Sequence, residues 1–365
     1  MEKANKLAKL LVDYSLDVQP KQIIGVVGNT ISEPLVVELY KEILKKGAYP
    51  VVDIGFQGQD YLMYKYSNDD QLSFLTPMIK SRAENINGLI RIDCSYNSKE
   101  LTQVDPSKIA LKRKSSASLR DILDERESKG EYKWVIAPYP TNSFAQDLEM
   151  SLEETNRFVC DACGLRYDDP VLYWKDRSEM QKQYLNLLQG TKKLQIIQGN
   201  TNLTFNTEGR KYVNCDGHCN MPDGEIFTSP VENGVDGEIY FDLITCYNGV
   251  EVEGVYLKIV KGVIIEAKAR KGEDFLHKMI NMDEGSKYIG EVAFGLNENI
   301  TRISKEILFD EKMGKTFHIA IGASYPETGG KNKSSLHWDM IKKIDENSVV
   351  YADNKVIYKD GKFIL

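Results

Sequence analysis

The chain has 365 residues, 42% of them hydrophobic, and a net charge of −7. That length exceeds one ordinary core, so two domains are expected. The acidic balance leaves no basic face for nucleic acid, and no apolar run approaches the ~18 residues that a membrane span needs.

Met1 to Val12 reads as an amphipathic helix dotted with lysines. It lacks the apolar core and small-residue cleavage site of a signal peptide, so a cytoplasmic protein is expected. Gln22 to Gly28 is a short apolar, β-branched run and predicts a buried strand. Its end, Gly25 to Thr30, is not Gly-x-Gly-x-x-Gly and has no P-loop lysine, so it reads as glycines at a turn rather than a nucleotide site. Ser32 to Gly47 has helical spacing, with Pro34 in its first turn and lysines then Gly47 at its end. Tyr49–Gly55, Ile86–Asp93 and Tyr132–Pro138 are further strand candidates. Strands alternating with helices predict a mostly parallel sheet covered on both faces. The basic run Leu111 to Lys114 reads as a solvated loop. Glu153 to Gly164 reads as a helix closed by glycine, which makes Cys160 and Cys163 small buried residues. The alternative is a zinc site drawn from Cys160, Cys163, Cys215 and Cys219, but the Cys215 pair lacks the usual two-residue spacing. A linking helix runs over Glu179 to Gly190.

Beyond Gly190 the texture changes to closely spaced strands: Lys193–Gly199, Asn202–Asn206, Glu238–Cys246, Gly254–Val260 and Gly262–Ala269. The last two form a hairpin around Lys261-Gly262. Helices are expected over Gly272–Asn281 and Asn297–Leu308, and a final hairpin over Val349–Leu365. The class is therefore α/β (α+β overall). A mostly parallel αβα domain spans 1–190 and a β-rich domain spans 191–365.

The chemistry-bearing residues fall in the β-rich part. They are Glu225 in Asn-Met-Pro-Asp-Gly-Glu, Glu291 in Gly-Glu-Val-Ala, His318, and His337 with Asp339 in Leu-His-Trp-Asp. Imidazoles mixed with carboxylates suit zinc, cobalt or manganese. On an extended strand His337 and Asp339 project on the same face. Taken singly each has a plainer reading. A lone histidine on an apolar strand is ordinarily a satisfied core residue, and Gly224-Glu225 could open an ordinary hairpin. His277 reads as a helix-surface residue, whereas His218 lies close enough in sequence to support the centre.

At these positions the sequence resembles the thermophilic metalloaminopeptidase family, also called the aminopeptidase T family. The resemblance runs over nearly the whole chain. It includes Tyr139-Pro140-Thr141 before Phe144-Ala145-Gln146 and is strongest from Gly209 to Asp339. Asn220 to Glu225, continued to Pro230, is similar to the segment around the family's first metal glutamate, and Glu291-Val292-Ala293 to the second. His318 with Tyr325, then His337-Trp338-Asp339, follow in order and type. The resemblance implies two divalent ions held by Glu225, Glu291, His318, His337 and Asp339. Glu291 is then the bridging carboxylate and base, and Tyr325 a catalytic residue. It also implies a homodimer that removes amino-terminal residues from peptides, the β-rich domain being the catalytic, metal-binding one. The stretch between Tyr325 and His337 is shorter than is usual in the family, which bears on pocket shape and not on the ligands. Two other readings are a metal hydrolase of another amide or ester, and a non-catalytic metal- or peptide-binding protein. Retention of all five ligand-type residues with Tyr325 argues against the last.

Overall fold

Four strands build the parallel sheet of the first unit: β1 (Ile23–Asn29), β2 (Tyr49–Gly55), β3 (Gly88–Asp93) and β4 (Lys133–Pro138), in the spatial order β2-β1-β3-β4. The computed structural model describes residues 3–365. The first compact unit is Met1–Val171 with Gly217–Met221, and the second is Leu172–Asp216 with Pro222–Leu365. Helix Glu33–Lys45, with Pro34 in its first turn, buries Leu35, Val36, Leu39 and Ile43, the i, i+4, i+8 stripe that its sequence predicts. Helix Leu152–Ala162 starts at a Ser151/Glu154 capping box. The chain turns at Gly164 (φ 70°), leaving Cys160 and Cys163 buried.

One expectation fails in this unit. Leu111 to Lys114 is not a loop but lies in helix Pro106–Ser115. Asp105 caps that helix by accepting from Ser107 N–H (2.8 Å), and Pro106 supplies a preset φ at its start. The lysines and arginine then fall in the last turn, where positive charge is favoured.

Helix Pro170–Leu188, longer than the expected linker, begins at the end of the first unit and carries the chain into the second, which continues as antiparallel sheets. The larger sheet contains β5 (Lys193–Gln198), β6 (Thr201–Asn206), β9 (Val235–Phe241), β12 (Val255–Val260), β13 (Val263–Lys268), β17 (Val349–Ala352), β18 (Lys355–Lys359) and β19 (Lys362–Phe363). The smaller contains β7 (Val213–Cys215), β8 (Glu225–Thr228), β14 (Ile289–Gly295), β15 (Thr316–Gly322) and β16 (His337–Lys343), in the order β16-β15-β14-β8-β7. The two-strand hairpin β10 (Thr245–Tyr247) and β11 (Val250–Val252) stands apart. The Lys261-Gly262 hairpin and the closing β17–β18 hairpin form as their turn residues predict.

One hydrophobic core joins the two sheets, with Leu194, Ile196, Phe205, Ile239 and Leu257 from one side and Val292, Phe294, Ile319, Trp338 and Met340 from the other. Each such side chain contributes about 1.5–3 kcal/mol by leaving water.

Two further expectations are corrected. Glu238 to Cys246 is not one strand. The chain leaves the sheet after Phe241, and Thr245 is used elsewhere: its hydroxyl accepts from Trp338 Nε1 (2.8 Å) and donates to the Asp339 carbonyl (2.9 Å). Asn297 to Leu308 is not a helix either, and only Ile307–Asp310 is helical. Asn297 binds its surroundings instead, accepting from Asn299 N–H (3.1 Å) and donating to the Asp223 carbonyl (2.8 Å). Asparagine side chains compete with helical hydrogen bonds in this way. No helix among the described residues is long and apolar enough to cross a membrane.

Candidate metal centre

Alternation along three strands puts the polar residues of the smaller sheet on one face. Val292, Phe294, Phe317, Ile319, Ile321, Trp338 and Met340 point into the core, so Glu291, His318, His337 and Asp339, of the opposite parity, project from the other face. Register decides the rest. Glu291 pairs with Ala320, which pairs with Asp339; His318 pairs with Ala293; His337 pairs with Gly322; Glu225 pairs with Gly295. Each ligand-type residue thus faces alanine or glycine on at least one side of the ladder, which leaves room for its side chain there; His318 faces Ile341 and Glu225 faces Cys215 on the other. Gly322 is required for its backbone as well, since at φ 102° an added Cβ would sit 2.2 Å from the Leu336 carbonyl. Gly224 (φ 123°) turns the chain into Glu225, with Asn297 packed against it.

The side chains converge. His318 Nε2 lies 3.6 Å from Glu225 Oε2 and 3.9 Å from both Glu291 Oε1 and Asp339 Oδ1. His337 Nε2 lies 3.2 Å from Glu291 Oε2 and 3.6 Å from Asp339 Oδ1. The two oxygens of Glu291 therefore face different histidines. His337 Nδ1 sits 3.0 Å from the Ala323 carbonyl, which holds the ring so that Nε2 points at the acids. Tyr325 is 37% exposed, but its hydroxyl reaches inward to 3.4 Å from His337 Nε2. Its ring packs on Phe227, and its N–H donates to Ser229 Oγ (3.1 Å).

Three subsets have donor atoms within 4.8 Å of one another: Cys215, Asp223 and Glu225; Glu225, Glu311 and His318; and Glu291, His337 and Asp339. Only the last two contain histidine. Glu311 had no place in the sequence reading. It follows the short helix Ile307–Asp310, seven positions before His318. A loop carboxylate has no periodicity to mark it, and the acidic run Asp310-Glu311 was the one available signal. His218 packs at a tilt (40°) against Tyr14 within the first unit (4.8 Å between ring centroids), and His277 is exposed on its helix.

Burial sets the electrostatics. It pushes Glu291 up to about 8, with the His337 hydrogen bond opposing and the Asp339 charge adding. Asp339 rises to about 7, again mainly by burial. Burial lowers His318 to about 4. Burial also opposes charge on His337, but Asp339 and the hydrogen bond to Glu291 outweigh it and raise it to about 10. Buried Glu225 Oε2 and Asp339 Oδ1 have no hydrogen-bond partner among the described residues. Buried carboxylate oxygens are costly without a partner, and a divalent cation is the partner that this oxygen and nitrogen set fits.

A pH dependence follows. Glu291, Asp339 and His337 have folded-state values raised above their ordinary ones, so the stability they contribute is present at low pH and lost as pH rises through about 8, 7 and 10 respectively. The lowered His318 contributes in full above its ordinary 6.5, so it does not offset the loss there. The metal-free protein is expected to melt several degrees lower at about pH 8.5 than at about pH 6.5. Saturating divalent metal should remove the difference, because ligation takes the deprotonated ligands. Calorimetry in chelator at both pH values checks this, and equal melting in the two would contradict it.

A family model described as thermophilic metalloprotease (M29) matches residues 1–363. The chain is 24% identical to Aminopeptidase 2 of Geobacillus stearothermophilus, covering 98% of this chain and 94% of that protein. It is 26% identical to Aminopeptidase AmpS of Bacillus subtilis, covering 98% and 93%. Its fold is similar to the solved structure of wild-type AmpT from Thermus thermophilus, with a TM-score of 0.81 at 22% identity, covering 100% of this chain and 99% of that one.

Proposed function

The chain belongs to the M29 thermophilic metalloprotease family, and from that premise we propose that it is a metal-dependent aminopeptidase that removes amino-terminal residues from peptides. The observation that carries this reading is the convergence of Glu225, Glu291, His318, His337 and Asp339 on one sheet face, with two buried carboxylate oxygens unpartnered. We infer that these five residues, joined by Glu311, hold two divalent ions, with zinc, cobalt and manganese all suited to the set. Glu291 would contribute an oxygen to each half of the site, as the opposed orientations of its two oxygens towards His318 and His337 support.

When bound by these residues, divalent ions would supply Lewis-acid polarisation of a peptide carbonyl and would lower the pKa of an attacking water towards neutrality. Glu291 takes a proton from the attacking water and passes it to the leaving amine. The Tyr325 hydroxyl donates to the oxyanion of the tetrahedral intermediate. Ala323 keeps the His337 ring oriented through Nδ1. A homodimer fits the exposed apolar side chains Tyr49, Val51 and Val52 on the edge strand β2, which pairing with a second copy would protect.

Exopeptidase selectivity is tested with two peptides. A free amine beside the carboxylate cluster can ligate or pair there, whereas an acetylated terminus cannot. The free peptide should be shortened one residue at a time from its amino end, and the acetylated form should stay intact, followed by mass spectrometry over time. Internal cuts, or equal cleavage of both, would shift the reading to a hydrolase of other amides or esters.

A further inference from the structure

Lys312 stands inside the acidic cluster, and none of the roles above employs it. The residue is 1% exposed. Its Nζ donates to Glu225 Oε1 at 2.9 Å, pairs with Glu311, and lies 3.9 Å from Asp223 Oδ1. Two of the three residues in the Glu225, Glu311 and His318 subset are therefore already engaged by a cation of the protein's own. The other subset differs. Among the described residues, Glu291 and Asp339 have histidines and no lysine or arginine within ion-pair distance. The centre is thus built asymmetrically, with a fixed positive charge in one half and neutralisable imidazoles in the other.

Backbone anchoring holds the ammonium there. The Lys312 carbonyl accepts from Asn297 N–H (2.9 Å) and its N–H donates to the Phe309 carbonyl (3.1 Å). A buried ammonium has a high desolvation cost and keeps its place only while carboxylates surround it. A divalent ion entering that half must compete for the same Glu225 and Glu311 oxygens and meets like-charge repulsion from Nζ. Glu225 Oε2 remains available, since it has no hydrogen-bond partner.

We propose that Lys312 makes the two metal subsites unequal. One ion binds tightly at Glu291, His337 and Asp339, and the Glu225, Glu311 and His318 subsite accepts a second ion weakly, as the ammonium withdraws from its carboxylates. The inference rests on the metal-dependent reading above. It gives this chain a built-in counter-cation that sets how far the second subsite fills at a given metal concentration.

The experiment is calorimetric titration of the metal-stripped full chain with Mn²⁺, with bound ions counted by elemental analysis. The wild type is expected to show two steps whose affinities differ by at least ~10²-fold, the scale of a unit charge near a divalent ion at an interior effective dielectric. Lys312→Gln and Lys312→Met should tighten the second step by at least ~10-fold and leave the first nearly unchanged. A lysine that merely filled space would leave the separation of the two steps unaltered in both variants. Two equal wild-type steps, or variants that fold and keep the wild-type separation, overturn the inference and leave the metal-dependent reading standing. Absence of any tight ion in the wild type overturns both. If neither variant folds, the wild-type isotherm decides alone, because equal steps there are incompatible with the proposal.

Discussion

Stripping divalent metal from the protein is expected to lower hydrolysis of aminoacyl substrates by at least ~10³-fold, because several kcal/mol of transition-state charge stabilisation would leave with the ions. The protein's own groups cannot replace that stabilisation. Without ions, burial and mutual repulsion drive Glu291 and Asp339 towards their protonated forms. A protonated Glu291 is no base, and His337 is then occupied by its carboxylate contacts. Adding back zinc, cobalt or manganese should restore turnover, and the three rates should rank the metals. The measurement is hydrolysis of a panel of aminoacyl substrates by stripped and reloaded enzyme, with metal content determined on the same samples. Full activity in samples shown to hold no metal would sink the proposed function.

Replacing Glu291 with glutamine is expected to lower kcat by at least ~10²-fold, the lower range for loss of a general base. Glutamine keeps the volume and can still meet His337, but carries neither the bridging charge nor the proton affinity. The fold should survive. Glu291 is 3% exposed and pairs across the ladder with Ala320 through its backbone, so neither packing nor register depends on its charge. Because metal-free Glu291 is already driven towards its neutral, protonated form, a neutral glutamine changes little there, and the metal-free variant should melt close to the wild type at neutral pH. That second readout separates a catalytic loss from a folding loss. A folded, metal-loaded Glu291→Gln protein with near-normal turnover would refute the role.

Much of the fold was legible because its signals are local. The stripe Leu35, Val36, Leu39, Ile43 and the turn Lys261-Gly262 identify their elements within a few residues. The failures have local causes too. Asp105-Pro106 is a helix start that outweighs the polarity of Leu111 to Lys114. The side chain of Asn297 draws its segment out of the helix that its composition allows.

The centre divides along the same line. Residue chemistry in the sequence marked Glu225, Glu291, His318, His337 and Asp339 as ligand-type residues, and strand parity put His337 and Asp339 on one face. Family resemblance supplied their grouping as one centre, together with Tyr325. Only the tertiary structure decided that Ala293, Ala320, Gly295 and Gly322 stand opposite the ligand-type residues, because cross-strand register depends on chain segments far apart in sequence. It alone brought Glu311 and Lys312 into the cluster, since a side chain delivered by a short helix and its following turn has no periodicity to reveal where it points. The electrostatic balance belongs to the same category. A lysine read in sequence is a solvated charge by default, and it becomes a competitor for metal only when folding removes water and surrounds it with Glu225, Glu311 and Asp223.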